Sequence, residues 1–148
     1  MEDLRMEKSG KPLWILSWIL TSVGAAICLG TAAFITSIQP HDLWPIPGFY
    51  LIEICLLALL GLLSRIRWKD VNKFRLDLIP WMITGALLPI MILGILSIGI
   101  FIFPAMISFF IVGLIAELSG TQNLAKHAGW AVIAAVCQAG IMILFLFL

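Results

Sequence analysis

Charge is scarce in this chain: Asp, Glu, Lys and Arg make up 11% of its 148 residues, and the formal net charge is +1. Soluble domains carry about a quarter charged residues, so that class is set aside first. A near-neutral balance also offers no basic patch for nucleic acid. Histidine is limited to His41 and His127, which fall on opposite sides of the membrane in the topology below, so they share no metal or haem. Three cysteines, Cys28, Cys55 and Cys137, form no CxxC and have no histidine at ligand spacing. Each lies in an apolar run and reads as a small hydrophobe. There is no HExxH, no GxSxG, no Gly-rich phosphate loop and no pair of carboxylates near one depth. No enzymatic site and no cofactor are therefore expected. Nor do charged residues mark a continuous path across a bilayer, as a pump or ion channel usually needs.

Apolar residues take the place of charge. The chain is 62% hydrophobic with a mean hydropathy of +1.13. A bilayer core of about 30 Å is crossed by about 20 apolar residues at about 1.5 Å each. Five runs approach or exceed that length: 13–38, 47–64, 78–98, 101–118 and 124–148. The third and fourth join without a polar linker. Together they extend to about twice the bilayer thickness, so the chain must turn back near 97–103 in a tight hairpin. The first run is longer than a signal-peptide core and lacks a cleavage site followed by polar residues, which reads as a retained helix. The predicted fold is all-α: a polytopic integral membrane protein of five transmembrane helices, two hairpins plus one helix, in a single domain over 1–148.

Orientation follows from the cations. With five spans, one side holds the N-terminal tail, the 65–77 loop and the junction into the fifth span. That side carries Arg5, Lys8, Lys11, Arg65, Arg67, Lys69, Lys73, Arg75 and Lys126, every Lys and Arg in the sequence. The positive-inside rule then puts the N-terminus in the cytoplasm and the C-terminus outside. Four spans would break this segregation. Trp14, Trp18, Trp68, Trp81 and Trp130 are expected at the inner interface, and Trp44 and Tyr50 at the outer one. Asp77 and Asn123 are expected to cap the third and fifth helices, Gly120 to close the fourth, and Pro89 to kink the third.

Internal similarity is faint. "WILTSVGAAI" from Trp18 resembles "WMITGALLPI" from Trp81, and "PGFYLIEICLL" from Pro47 resembles "PAMISFFIVGL" from Pro104. Any two apolar hairpins align about this well, so duplication and coincidence both stand; a true duplication would be a parallel repeat. Small residues repeat every fourth position: Ser17, Thr21 and Ala25, with Gly24 and Cys28, on the first helix, and Ala131, Ala135 and Ala139 on the fifth. Such stripes let helix backbones approach closely in lipid, within the bundle or against a partner.

A few polar groups interrupt the apolar runs. Glu53 lies about 9 Å inside the second helix. A carboxylate at depth costs on the order of 2.5–3.5 kcal/mol, which makes it a candidate functional residue. Tyr50 is one turn away on the same face, and His41 and Asp42 lie in the preceding loop, so Glu53, Tyr50, His41 and Asp42 form a candidate outward-facing polar site for a proton, a cation or a polar partner. Against this, the faint repeat puts Phe110 at the matching position, so the scaffold itself has no need of a carboxylate there. Gln138 falls near mid-membrane and is expected to bond a neighbouring helix. Glu117 is expected to pair with Lys126 or an arginine of the 65–77 loop. The basic residues Arg65, Arg67, Lys69, Lys73 and Arg75 form a candidate surface for anionic lipid.

These observations lead to a multi-pass protein of a plasma membrane, of the bacterial inner-membrane type. Its expected role is a non-catalytic subunit, scaffold or assembly partner, with a protein partner or a second copy of itself. The alternative is an oligomeric transporter or channel subunit that uses Glu53 as a proton or cation site.

Overall fold

The computed structural model describes the backbone of residues 3–38, 46–66, 73–94, 98–119 and 124–147, and the side chains of 13–38, 48–66, 78–94, 98–118 and 124–144. Its elements are α1 (Asp3–Ile38), α2 (Ile46–Ile66), α3 (Lys73–Leu93), α4 (Gly99–Ser119) and α5 (Leu124–Phe147). Four of the five, α1, α2, α4 and α5, are long and apolar enough to cross a membrane. The apolar part of α3, Leu78–Leu93, is shorter. An apolar chain takes this form because a helix bonds its own backbone polar groups and leaves none facing hydrocarbon.

Two boundaries differ from those read in the sequence. Helix α3 begins at Lys73, so Asp77 lies within it rather than capping it. The same helix stops at Leu93, ahead of the expected 98, and α4 begins at Gly99. Gly94 N–H donates to the Ile90 carbonyl at 2.9 Å, and Gly99 N–H reaches the Gly94 carbonyl at 2.6 Å. A Cβ on Gly99 would stand 2.3 Å from the Met91 carbonyl oxygen. The chain therefore turns where two glycines let backbone pass against backbone. Pro80 and Pro89 are both held within α3. Gly120 and Asn123 lie outside the described residues.

Helix α1 packs against α2 and α4, and α3 packs against α2, α4 and α5. The first four helices thus close into a ring, and α5 docks on its outside along α3. A common core fills the ring, with Ala25 and Cys28 from α1, Ile54 and Ala58 from α2, Ile83, Leu87 and Ile90 from α3, and Ile102, Ala105 and Phe109 from α4, and Met142 of α5 reaches it from outside. Phe109 is its wedge. Its ring fits into two notches left by missing side chains: a Cβ on Gly61 would stand 2.7 Å from the ring, and one on Gly24 3.1 Å. The stripe on α1 serves this interior, since Ser17, Thr21, Gly24, Ala25 and Cys28 are all buried.

The stripe on α5 works by closer contact. A Cβ on Gly85 would stand 2.1 Å from the Ala131 carbonyl oxygen, so α3 and α5 meet backbone to backbone at that level. Trp14 and Trp130 are exposed, as interfacial tryptophans should be. Trp81 instead turns inward. It packs edge-on against Phe110, ring centroids 5.5 Å apart, and over Gly113, where a Cβ would be 3.0 Å away. The position aligned with Trp18 therefore faces the bundle, because Gly113 opens room for an indole there. Thr21 and Thr84, also aligned, make the same local bond: each hydroxyl donates to the carbonyl four residues earlier, at 2.7 and 2.8 Å.

Candidate intramembrane polar site

Helix α2 begins with Ile46, and Glu53 sits two turns in, about 10 Å from that end. Helix α5 begins at the opposite end of the bundle, with Leu124, and Gln138 lies about 21 Å along it. The two depths sum to about the thickness of a bilayer core, so residues 85 apart in sequence reach one level. There Gln138 Nε2 donates to Glu53 Oε2 at 2.8 Å. Gln138 is 4% exposed, while Glu53 is half-buried. A carboxyl and a primary amide complement each other, the amide donating to a carboxyl oxygen. Tyr50 packs its ring against the central core instead of bonding Glu53. His41 and Asp42 lie outside the described residues.

A second polar pair ties the start of α5 to the end of α4. His127 is 0% exposed, and its Nδ1 is paired with Glu117 Oε1. Beside the expected partners of Glu117, Lys126 or an arginine of the 65–77 loop, the structure supplies the imidazole one residue beyond Lys126. A helix turns about 100° per residue, so Lys126 and His127 point in different directions. Here Lys126 is exposed while His127 is enclosed.

A third polar cluster lies where the end of α2 meets the middle of α1. Arg65 is 3% exposed and its Nε donates to Thr21 Oγ1 at 3.3 Å, beside the buried Ser17 and Ser64. Arg65 therefore turns into the bundle and away from the surface expected for anionic lipid. The side chains of Arg67, Lys69, Lys73 and Arg75 lie outside the described residues. Among the described residues, no three of His, Cys, Asp and Glu stand close enough to hold a metal ion.

The structure thus unites two of the residues singled out, Glu53 and Gln138. Sequence reasoning had missed their pairing, although the depth arithmetic above contains it. It had also missed His127 and Arg65 as buried members of the bundle. No family model, no curated protein and no solved structure matches this chain.

Proposed function

We propose that the chain is a five-span protein of a bacterial-type plasma membrane, N-terminus in the cytoplasm and C-terminus outside, acting as a non-catalytic subunit, scaffold or assembly partner. The observation that carries this reading is the use of polar groups within the spans. Glu53 is joined to Gln138 and Glu117 to His127, and both pairs pin α5 to the ring. Polar groups engaged in holding helices together supply a framework rather than a path for solute. Crossing by α3 is supported by its place in the bundle, packed against α2, α4 and α5, with Ile83 to Leu87 all buried, which spares that stretch the need to match lipid. The segregation of all nine Lys and Arg on one side supports the orientation. Arg67, Lys69, Lys73 and Arg75 remain the candidates for anionic lipid on that side.

Single cysteines placed at residue 42 and at residue 70, in a background without the native three, test the topology. In intact cells an impermeant maleimide should label the first and spare the second. Labelling of both, or of residue 70 alone, overturns the five-span arrangement. Affinity purification in mild detergent should yield a partner in fixed ratio.

The second reading, an oligomeric transporter or channel subunit with Glu53 as a proton or cation site, is favoured by the incomplete burial of Glu53. It requires that Glu53→Gln abolish solute flux while the protein stays folded. The scaffold reading requires that Glu53→Gln leave both fold and partner recovery intact.

A further inference from the structure

We propose that Cys28 and Cys55 form a paired thiol site, which a lipid-soluble organic hydroperoxide closes to a disulfide between α1 and α2. Taken singly, each thiol reads as a small hydrophobe. The packing sets them against each other. Ala32 packs with Leu51 and Thr21 bonds Arg65, so the two helices run antiparallel. One turn back along α1 is then matched by one turn forward along α2. From Ala32 and Leu51 that step leads to Cys28 and Cys55. Three residues further it leads to Ala25 and Ala58, both buried in the central core. Packed positions on either side thus bracket the two sulfurs, and charge on one would be felt at the other.

The spacing suits a covalent bond. Helix axes about 8–10 Å apart, with Cα atoms on cylinders of about 2.3 Å radius, bring directly facing Cα atoms to about 3–5 Å and offset ones slightly farther. A disulfide joins Cα atoms about 4.4–6.8 Å apart. The two thiols differ in access. Cys55 is half-buried and lines a groove between α1 and α2 whose rim includes the exposed Leu29 and Leu56. Cys28 is 0% exposed. An oxidant dissolved in hydrocarbon therefore meets Cys55 first. The Cys55 sulfur bonds the terminal oxygen of the hydroperoxide, the O–O bond breaks, and the thiol proton leaves with the other oxygen as an alcohol. Cys55 is then a sulfenic acid. The Cys28 sulfur displaces its hydroxyl, which departs with the Cys28 proton as water. Two thiols supply two electrons, and the peroxide ends as one alcohol and one water.

The test treats the full chain in nanodiscs of saturated phosphatidylcholine with cumene hydroperoxide. The protein is then unfolded in N-ethylmaleimide and mapped by mass spectrometry without reduction. Residues 28 and 55 should appear as one disulfide-linked species within a single chain, and dithiothreitol should return both thiols. In Cys28→Ala, Cys55 should stop at the sulfenic acid, which dimedone traps. In Cys55→Ala, oxidation of Cys28 should fall several-fold. Both exchanges put one small side chain for another, and each variant is read against its own circular dichroism. Three results overturn the proposal: thiols at 28 and 55 that stay free or take up oxygen without joining, a disulfide from either to Cys137 or to a second chain, or oxidation of Cys28 at the wild-type rate in Cys55→Ala.

Discussion

Gln138→Leu removes the one donor facing Glu53 and leaves a carboxyl against a hydrocarbon side chain. A buried acceptor left without its partner costs about 1–3 kcal/mol. Glu53→Gln keeps a carbonyl oxygen at the position of Oε2, and interhelical hydrogen bonds in membranes average only about 0.6 kcal/mol. The leucine variant should therefore unfold earlier in a dodecyl-sulfate titration followed by circular dichroism, with the glutamine variant close to the wild type. Equal loss in both would mean that the carboxylate itself, rather than the contact, stabilises the protein. Glycines give a second contrast. Gly61→Ala thrusts a methyl group into the Phe109 ring and should cost about 1–3 kcal/mol, as overpacked cores do. Gly30→Ala meets nothing within 4 Å and should be neutral, or stabilising by up to about 1 kcal/mol. The same titration reads both, and equal effects would remove Phe109 as the wedge.

Among the elements, α5 meets α3 backbone to backbone at Gly85. Gly85→Ala would set a methyl carbon against the Ala131 carbonyl, and backbone cannot yield as a side-chain tip can. The variant should hold α5 away from α3 and uncover His127, so diethyl pyrocarbonate should modify that histidine several times faster than in the wild type. An unchanged rate would show that α5 is held by its polar pairs alone. The helices themselves were legible in advance, because a run of apolar residues near 20 long has one solution in lipid. Their ends were less so. Apolar length alone did not reveal that α3 stops at Gly94, since Ile, Leu and Ser follow it with no change in hydropathy; the signal was the pair Gly94 and Gly99. Glu53 and Gln138 drew notice individually because polar residues are costly in hydrocarbon. Their partnership depended on which helices are neighbours, and no single helix encodes that. The inward turn of Trp81 likewise rested on Gly113, a residue of another helix.

At the scale of the whole molecule, the ring of α1 to α4 is closed without α5. A chain ended after residue 120 should keep that ring, with helix content reduced roughly in proportion to the lost helix and the Phe109 core still resistant to hydrogen exchange. Collapse of the core in the shortened chain would show that α5 is integral to the fold. The docking of α5 also gives the protein a history. Glu53 and Gln138 are 85 residues apart, and ribosomes add about 5–20 residues per second, so roughly 4–17 seconds separate the making of the acid from the making of its amide. Throughout that interval the nascent chain carries an unanswered carboxyl in its second helix, until α5 emerges to answer it. A chain stalled before residue 138 never makes this pairing.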